Sequence, residues 1–494
     1  MQREEDSRRA LEPLALMEAA VRKAGSDSGC STLLPQIEHI AVPKGRWQYA
    51  DPARAIGRAI GSPSAVTTLA TVGVLQQSLI GDACRRIAEG EIESALVVGG
   101  DAGYRLLRAR LSGVDCSDSQ QDTAPDIELK PHEELRHPSE LRVGLKMPVG
   151  LYAIMESAFR AASGLSVDAH RDRIAGLYSR FSEIAEANPH AWRRHAISAK
   201  EIRDASDRNP MQAFPYTKLL CSSWNVDQAA ALLFCSIGKA HALGIPEHRW
   251  IYPVASTESN NMVPVSARAQ LHRCPGAWIA GSAALEAAGI TSAALDHVEL
   301  YSCFPLAVET YAAELGIETG RDLTVTGGMS FAGGPYNNYV LQSTCRMVEK
   351  LREDRARKQV AIKGTSDDTT IGRPHFGLVS SVSGVLTKQG FGLWSDVPGP
   401  EGFVFADCSD AVKRATETRP VVESYFGLGN IVGCTVLHEG TRPAHAVVLA
   451  EIEGGRRTLA TTHEAQVMAQ FEREEHCGTT VRLDGDGQFS FSDA

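Results

Sequence analysis

A phenol, a thiol and a set of amide donors stand close together between Val298 and Tyr339, a stretch that reads VELYSCFPLAVETYAAELGIETGRDLTVTGGMSFAGGPYNNY. Tyr301 is a candidate proton donor or acceptor. Cys303 precedes Phe304-Pro305, where a helix should open, because proline fits a first turn at no hydrogen-bond cost. A thiol at a helix N-terminus gains acidity and can act as a nucleophile. The loop from Gly327 to Tyr339 offers the backbone amides of Gly333 and Gly334 and the side-chain amides of Asn337 and Asn338. Donors of that kind stabilise an enolate or oxyanion. Ser383, in the run SSVSG at 380–384, adds a hydroxyl. Plainer roles exist for each: a strand-end tyrosine bonded to backbone, and an inert core thiol.

The elements that must hold these groups are legible from periodicity and punctuation. Val298 and Leu300 read as a short strand. Phe304, Val308, Tyr311, Ala312 and Leu315 keep helical spacing, and Gly316 is a helix stop. Leu323 to Val325 reads as a second strand feeding the glycine loop. Earlier in the chain, Leu11 to Ala24 is an amphipathic helix and 36–43 is a strand. Val66–Leu69, Leu75–Glu89 and Ser94–Val98 form a strand–helix–strand unit, its last strand apolar enough for a buried parallel sheet. Segment 105–147 is charged and irregular. Ala153–Ala162 and Ser166–Glu186 read as helices. Strands follow at Ala229–Phe234 and Ile251–Ser256, and helices at Ile237–Leu243 and Gly276–Ala288. A charged helix is expected over Thr344–Lys358, then a polar tongue to Arg373, a strand at His375–Val379 and a further run at Val385–Phe391. In open α/β sheets the strand ends and adjoining loops face the ligand crevice. Tyr301, Cys303 and the glycine loop therefore lead the candidate list.

The ordered motifs YSCFP, FAGGPxNNY and LTKxxFG resemble those of the thiolase superfamily, in particular its SCP2-thiolase-like branch of type 1 thiolase-like proteins. The resemblance covers most of the chain. It implies two similar sheet-and-helix halves with a loop domain at about 105–215, the whole spanning 1–396. It also implies a CoA thioester as ligand, with CoA as a substrate moiety and no separate cofactor. Thiolases carry a nucleophilic cysteine, a second catalytic cysteine and a histidine. Here the matching positions read Val72-Gly73-Val74, Ser380–Ser383 and Gly334, and Tyr301 stands where the family has Asn or His. Cys84 lies further along the helix and is expected in the core. Lys218, Ser222 and Ser223, in the segment PYTKLLCSSWNVD, are expected to face CoA phosphates or the pantetheine arm, or to form a bonded turn. Thiolases also begin with a strand ahead of the first helix, and none is legible here. A truncated start or a sheet lacking that strand is expected. Thiolase-fold aldolases with a Tyr-x-x-Phe motif resemble this chain too, and they work with an OB-fold partner.

Composition narrows the partners. The chain has 494 residues, a net charge of −10 and 11 scattered cysteines without a CxxC pair. Nucleic acid and anionic membranes are disfavoured, and the thiols suit a reducing, cytoplasmic setting. No apolar run reaches the length of a membrane span. Val397–Gly402 reads as a linker. Beyond it, 403–494 carries short strands at Val432–Leu437, Ala444–Glu451, Arg457–Thr461, Val481–Leu483 and Gln488–Phe491, with a hairpin signal at Asp484–Gly487. This predicts a small antiparallel β-barrel, OB-like, fused in cis. The isolated His272, His297 and His375 suggest no metal site. Three functions stay open. The first is C–C bond chemistry of retro-aldol type on acyl-CoA without an acyl-cysteine. The second is a catalytically inactive acyl-CoA-binding or scaffold protein. The third is a thiolase using a displaced cysteine, Cys303 or Cys84. A homodimer or a partner protein remains open as well.

Overall fold

A computed structural model describes residues 1–131, 133, 136–364 and 373–491, with backbone alone at 359–364. The helix expected to end at Lys358 runs on to Gly364, and residues 365–372 of the expected tongue lie outside the described residues. In chain order the strands are β1 (His39–Pro43), β2 (Val66–Ala70), β3 (Ser94–Ala102), β4 (Ile127–Leu129), β5 (Met211–Ala213), β6 (Tyr216–Thr217), β7 (Asp227–Cys235), β8 (Tyr252–Ser259) and β9 (His297–Glu299). They continue with β10 (Phe376–Ser383), β11 (Lys388–Ser395), β12 (Val404–Asp407), β13 (Phe426–Glu439), β14 (Arg442–Ile452), β15 (Arg456–Thr462), β16 (Thr480–Asp484) and β17 (Phe489–Phe491).

Two five-stranded sheets form the body, in the orders β4-β2-β1-β3-β7 and β12-β8-β11-β10-β9. β1 and β3 are buried along their whole length, as an apolar parallel strand requires. Helix Gln76–Ala88 is packed between the sheets, touching β1, β3 and β7 on one side and β8, β10 and β11 on the other. Helix Tyr339–Gly364 also reaches both sheets. The N-terminus of a helix with sheets on both sides is thus held inside the molecule.

As the sequence indicates, no strand precedes helix Pro13–Asp27 among the described residues, and β1 pairs directly with both β2 and β3. Other expectations change. Segment 105–147 contains part of a helix (Gly103–Ser112) and the exposed edge strand β4. β12 follows the 397–402 turn yet pairs with β8. The boundary expected at 403 therefore falls inside the second sheet, because the outer edge of β8 takes this strand as its partner.

The remaining strands build a seven-stranded sheet, β15-β14-β13-β16-β17 with β5 and β6 attached. Its ladder does not close into a barrel among the described residues; an isolated bridge, Thr461 to Gln488, links its two ends. β13 also pairs with β5, through Leu437 and Ala213. Arg160, on helix Pro148–Ala162 and almost fully buried, ties that helix to the segment leading into β16 through Glu475, with donor–acceptor distances of 2.8 and 3.2 Å.

His39, at the start of β1, gives a testable pH dependence. Its Nε2 lies 2.8 Å from Thr68 Oγ1 and its Nδ1 is buried without a partner. Burial lowers its pKa from 6.5 to about 4. The unfolded chain therefore takes up this proton first, and stability falls as pH drops from about 6.5 towards 4, by about 3 kcal/mol in all. His39→Gln should flatten the pH dependence of the unfolding free energy over that window, which chemical denaturation at stepped pH will read.

Candidate functional site

The stretch around Tyr301 is organised by Glu299, a residue that the sequence reading passed over. Its carboxylate is fully buried at the end of β9. Oε2 accepts from Thr324 Oγ1 (2.9 Å) and from the backbone N–H groups of Val325 (2.8 Å) and Thr326 (3.0 Å). Oε1 accepts from Thr326 Oγ1 (3.2 Å) and Tyr339 O–H (2.6 Å). Leu323–Val325 is therefore not a strand: amides that would join a ladder turn to the carboxylate instead. Burial pushes this carboxyl up, and the donors pull it back only in part.

Tyr301 follows directly. Its N–H donates to Ser380 Oγ (2.8 Å), and its ring meets Tyr339 edge-on at 5.7 Å. Its hydroxyl has no hydrogen-bond partner among the described residues. Burial raises its pKa, and Cys303 adds to that, so the phenol is neutral at pH 7. Phe304 then caps helix Pro305–Leu315, which ends at Gly316 in the left-handed region (φ 62°), as the sequence predicts.

Cys303 lies beside Tyr152, whose ring packs on Phe304 at 4.5 Å. Burial pushes the Cys303 thiol up to about 12, although Tyr152 and the N–H groups of Phe304 and Cys303 act in the opposite direction. Helix-terminal acidification loses to desolvation here. Iodoacetamide at pH 7 should label Cys303 far more slowly than a free thiol; peptide mass spectrometry over time checks this. Cys84 is fully buried and its pKa is likewise raised by burial.

Ser222 and Ser223 sit between these groups and the glycine loop. Ser222 N–H donates to Cys303 O (3.1 Å), Ser223 N–H to Met329 O (3.0 Å), and Gly334 N–H to Ser223 O (2.9 Å). Ser302 Oγ accepts from Met329 N–H (2.9 Å). The approach is too close for a side chain: a Cβ on Gly334 would lie 2.2 Å from Ser222 Oγ, and Gly333 has φ +102°. The structure thus brings Tyr301, Cys303, Ser222, Ser223, Gly333 and Gly334 together. It corrects one expectation, since the Gly334 amide is already bonded and is not a free donor. Lys218 is exposed in the turn Lys218–Leu220, at the margin of this group.

The same loop reaches the N-terminus of helix Gln76–Ala88. Gln76 Nε2 donates to Asn337 Oδ1 (3.1 Å), and Val340 N–H donates to Gln76 Oε1 (2.8 Å). Asn337 Nδ2 and both amide atoms of Asn338 are buried without partners. Just ahead of the helix, Gly73 takes φ +104° against Pro131. Its carbonyl accepts from Lys388 Nζ (3.2 Å), a buried ammonium whose pKa burial lowers. Glu258, also buried, accepts from Ser78 Oγ (2.5 Å) and Asn260 Nδ2 (2.9 Å) and acts electrostatically on Lys388. Ser383 pairs with Lys388 across the β10–β11 hairpin. Lys388 was visible in the LTKxxFG motif, yet its burial was not. Of the histidines, His375 and His297 are bonded to Asp396 and Asp354. A cavity of 940 Å³ lies along β7 and helices Pro13–Asp27 and Tyr339–Gly364; of the candidate residues, Cys84 lines it, and Tyr301, Cys303 and the glycine-loop donors do not.

A scan against family models finds no match, and a search of curated proteins finds none either. Solved structures do match. A monomeric SCP2-thiolase-like protein type 1 from Mycobacterium smegmatis aligns over 98% of this chain and 96% of its own, at 25% identity and a TM-score of 0.80. The chain belongs to the thiolase superfamily, in its SCP2-thiolase-like branch. More distant neighbours in fold include human mitochondrial 3-ketoacyl-CoA thiolase, at 16% identity over 78% of this chain and 93% of that one, TM-score 0.51. Another is the Ltp2-ChsH2(DUF35) aldolase, at 17% identity over 79% of this chain and 95% of that one, TM-score 0.56. In this thiolase-superfamily chain the N-terminus of helix Gln76–Ala88 lies between the two sheets. Here Gly73, Gln76, Asn337 and Lys388 meet at that point.

Proposed function

We propose that this thiolase-superfamily protein binds acyl-CoA thioesters and cleaves a C–C bond in a 3-hydroxyacyl-CoA by retro-aldol chemistry, without an acyl-cysteine. One observation supports this most. Val72-Gly73-Val74, where a thiolase places its nucleophile, holds no thiol, and a buried lysine is bonded to the Gly73 carbonyl. Ser380–Ser383 and Gly334 likewise hold neither the second cysteine nor the histidine. In the reaction the C2–C3 bond breaks, the 3-hydroxyl becomes a carbonyl and gives up its proton, and the thioester enolate takes a proton at C2. The Tyr301 oxygen relays that proton, which a neutral phenol with an unpartnered hydroxyl is suited to do. The unpartnered amide nitrogens of Asn337 and Asn338, with Lys388, stabilise the enolate oxygen; Ser383 borders Lys388. Lys218, Ser222 and Ser223 hold the CoA arm, and the ligand needs no further cofactor.

The C-terminal sheet, which we place in an OB-like module fused to the thiolase-like part, serves in cis as an aldolase's DUF35 partner would. The protein acts in the cytoplasm. A second reading, an inactive acyl-CoA-binding protein, draws support from the Gly334 amide, which is already spent on Ser223. Incubation with branched 3-hydroxyacyl-CoA substrates, and separately with 3-ketoacyl-CoA plus CoA, followed by mass spectrometry of the CoA species, separates the readings. Cleavage of the hydroxyacyl substrates alone is expected. Binding without turnover of any substrate would favour the inactive protein.

A further inference from the structure

Away from the Tyr301 region, three side chains from three helices converge in the interior. Glu156 comes from helix Pro148–Ala162, His170 from helix Val167–Ala187 and Glu309 from helix Pro305–Leu315. Their exposures are 0%, 0% and 3%. His170 Nε2 lies 2.7 Å from Glu156 Oε1, and one donor atom from each of the three residues lies within 4.8 Å of the other two. The outer oxygens are held from behind. Tyr216 O–H donates to Glu156 Oε2, and Arg173 Nε forms an ion pair with Glu309 Oε1 at 2.6 Å. Glu309 Oε2 and His170 Nδ1 are buried without any hydrogen-bond partner.

Two carboxylates and one imidazole at these separations present more lone pairs than protons. A buried carboxylate oxygen facing no donor is costly. The one guanidinium nearby, Arg173, is 39% exposed and so partly screened. We propose that Glu156, His170 and Glu309 bind one divalent transition-metal ion, with Zn²⁺ the first choice for two carboxylates and an imidazole. Tyr216 and Arg173 orient the ligands from outside, the role such partners play around metal sites. The ion is structural. It ties helices Pro148–Ala162 and Val167–Ala187 to helix Pro305–Leu315, whose cap Phe304 has its ring 5.3 Å from that of Tyr216.

The test uses the full chain, stripped of metal and offered Zn²⁺ or Co²⁺ one at a time. Metal per chain is measured after gel filtration, together with the thermal midpoint and, for Co²⁺, visible absorption. One ion per chain, a raised midpoint and a cobalt spectrum are expected. Glu309→Gln and His170→Asn should each weaken uptake by about tenfold or more. The two variants are paired so that one misfolded protein does not decide the matter. Wild-type protein that takes up no stoichiometric ion, or folded variants that take up as much as wild type, would overturn the assignment. A more stable Glu309→Gln protein alongside metal-free wild type would identify a shared proton in place of the ion.

Discussion

Tyr301→Phe should lower the rate of 3-hydroxyacyl-CoA cleavage by roughly 100- to 10,000-fold, the usual contribution of one general acid–base group. The substitution removes a single oxygen. That oxygen makes no hydrogen bond among the described residues, while the ring keeps its edge-on packing against Tyr339 and the backbone keeps its bond to Ser380. Folding should therefore be unchanged, and affinity for a CoA thioester should move little. Loss of kcat with KM and thermal midpoint preserved would place the hydroxyl in the reaction. A variant that cleaves at the wild-type rate would remove Tyr301 from it.

Glu299→Ala is the largest stability change expected. It leaves two backbone N–H groups and the hydroxyls of Thr324, Thr326 and Tyr339 without their acceptor in a fully buried place. Losing an acceptor shared by several buried donors costs about 3–5 kcal/mol, at roughly 1–3 kcal/mol for each donor left unpaired. The damage should be local first, because these donors belong to the start of the glycine loop and to the tyrosine that packs on Tyr301. Denaturant unfolding will read the loss. Hydrogen exchange should show early opening at 324–328. A change under 1 kcal/mol would mean that water replaces the carboxylate, and the loop would then be less dependent on Glu299 than its hydrogen bonds indicate.

Much of this frame was legible because local rules and burial agree. Phe304-Pro305 opens a helix and Gly316 closes it. The apolar run in β3 reads as a buried strand, and the glycines at 333 and 334 mark a place where segments touch. Other features depend on partners distant in sequence. Glu299 reads as a polar interruption between Val298 and Leu300 until its donors from 324–339 are in place. Lys388 looks like an ordinary exposed residue near a hairpin, and only the packing of helix Gln76–Ala88 between two sheets buries it. β4 is short and exposed on every residue, so it lacks a periodic signal. The ladder of the expected barrel stays open among the described residues, its ends joined by the isolated Thr461–Gln488 bridge alone, and β13 also pairs with β5 from far upstream. Turn spacing within 403–494 carries no information about that last contact.

The claim that this fold acts without an acyl-cysteine has a direct test. Wild-type protein is incubated with acetyl-CoA and with a 3-ketoacyl-CoA at neutral pH, quenched in acid, and weighed intact by mass spectrometry, with Cys303→Ala alongside. The unmodified mass is expected for both proteins, because the Cys303 thiol is held up to about 12 and the 72–74 turn offers no thiol. An acyl increment on wild type that vanishes in Cys303→Ala would contradict this account and make the protein a thiolase with a displaced nucleophile.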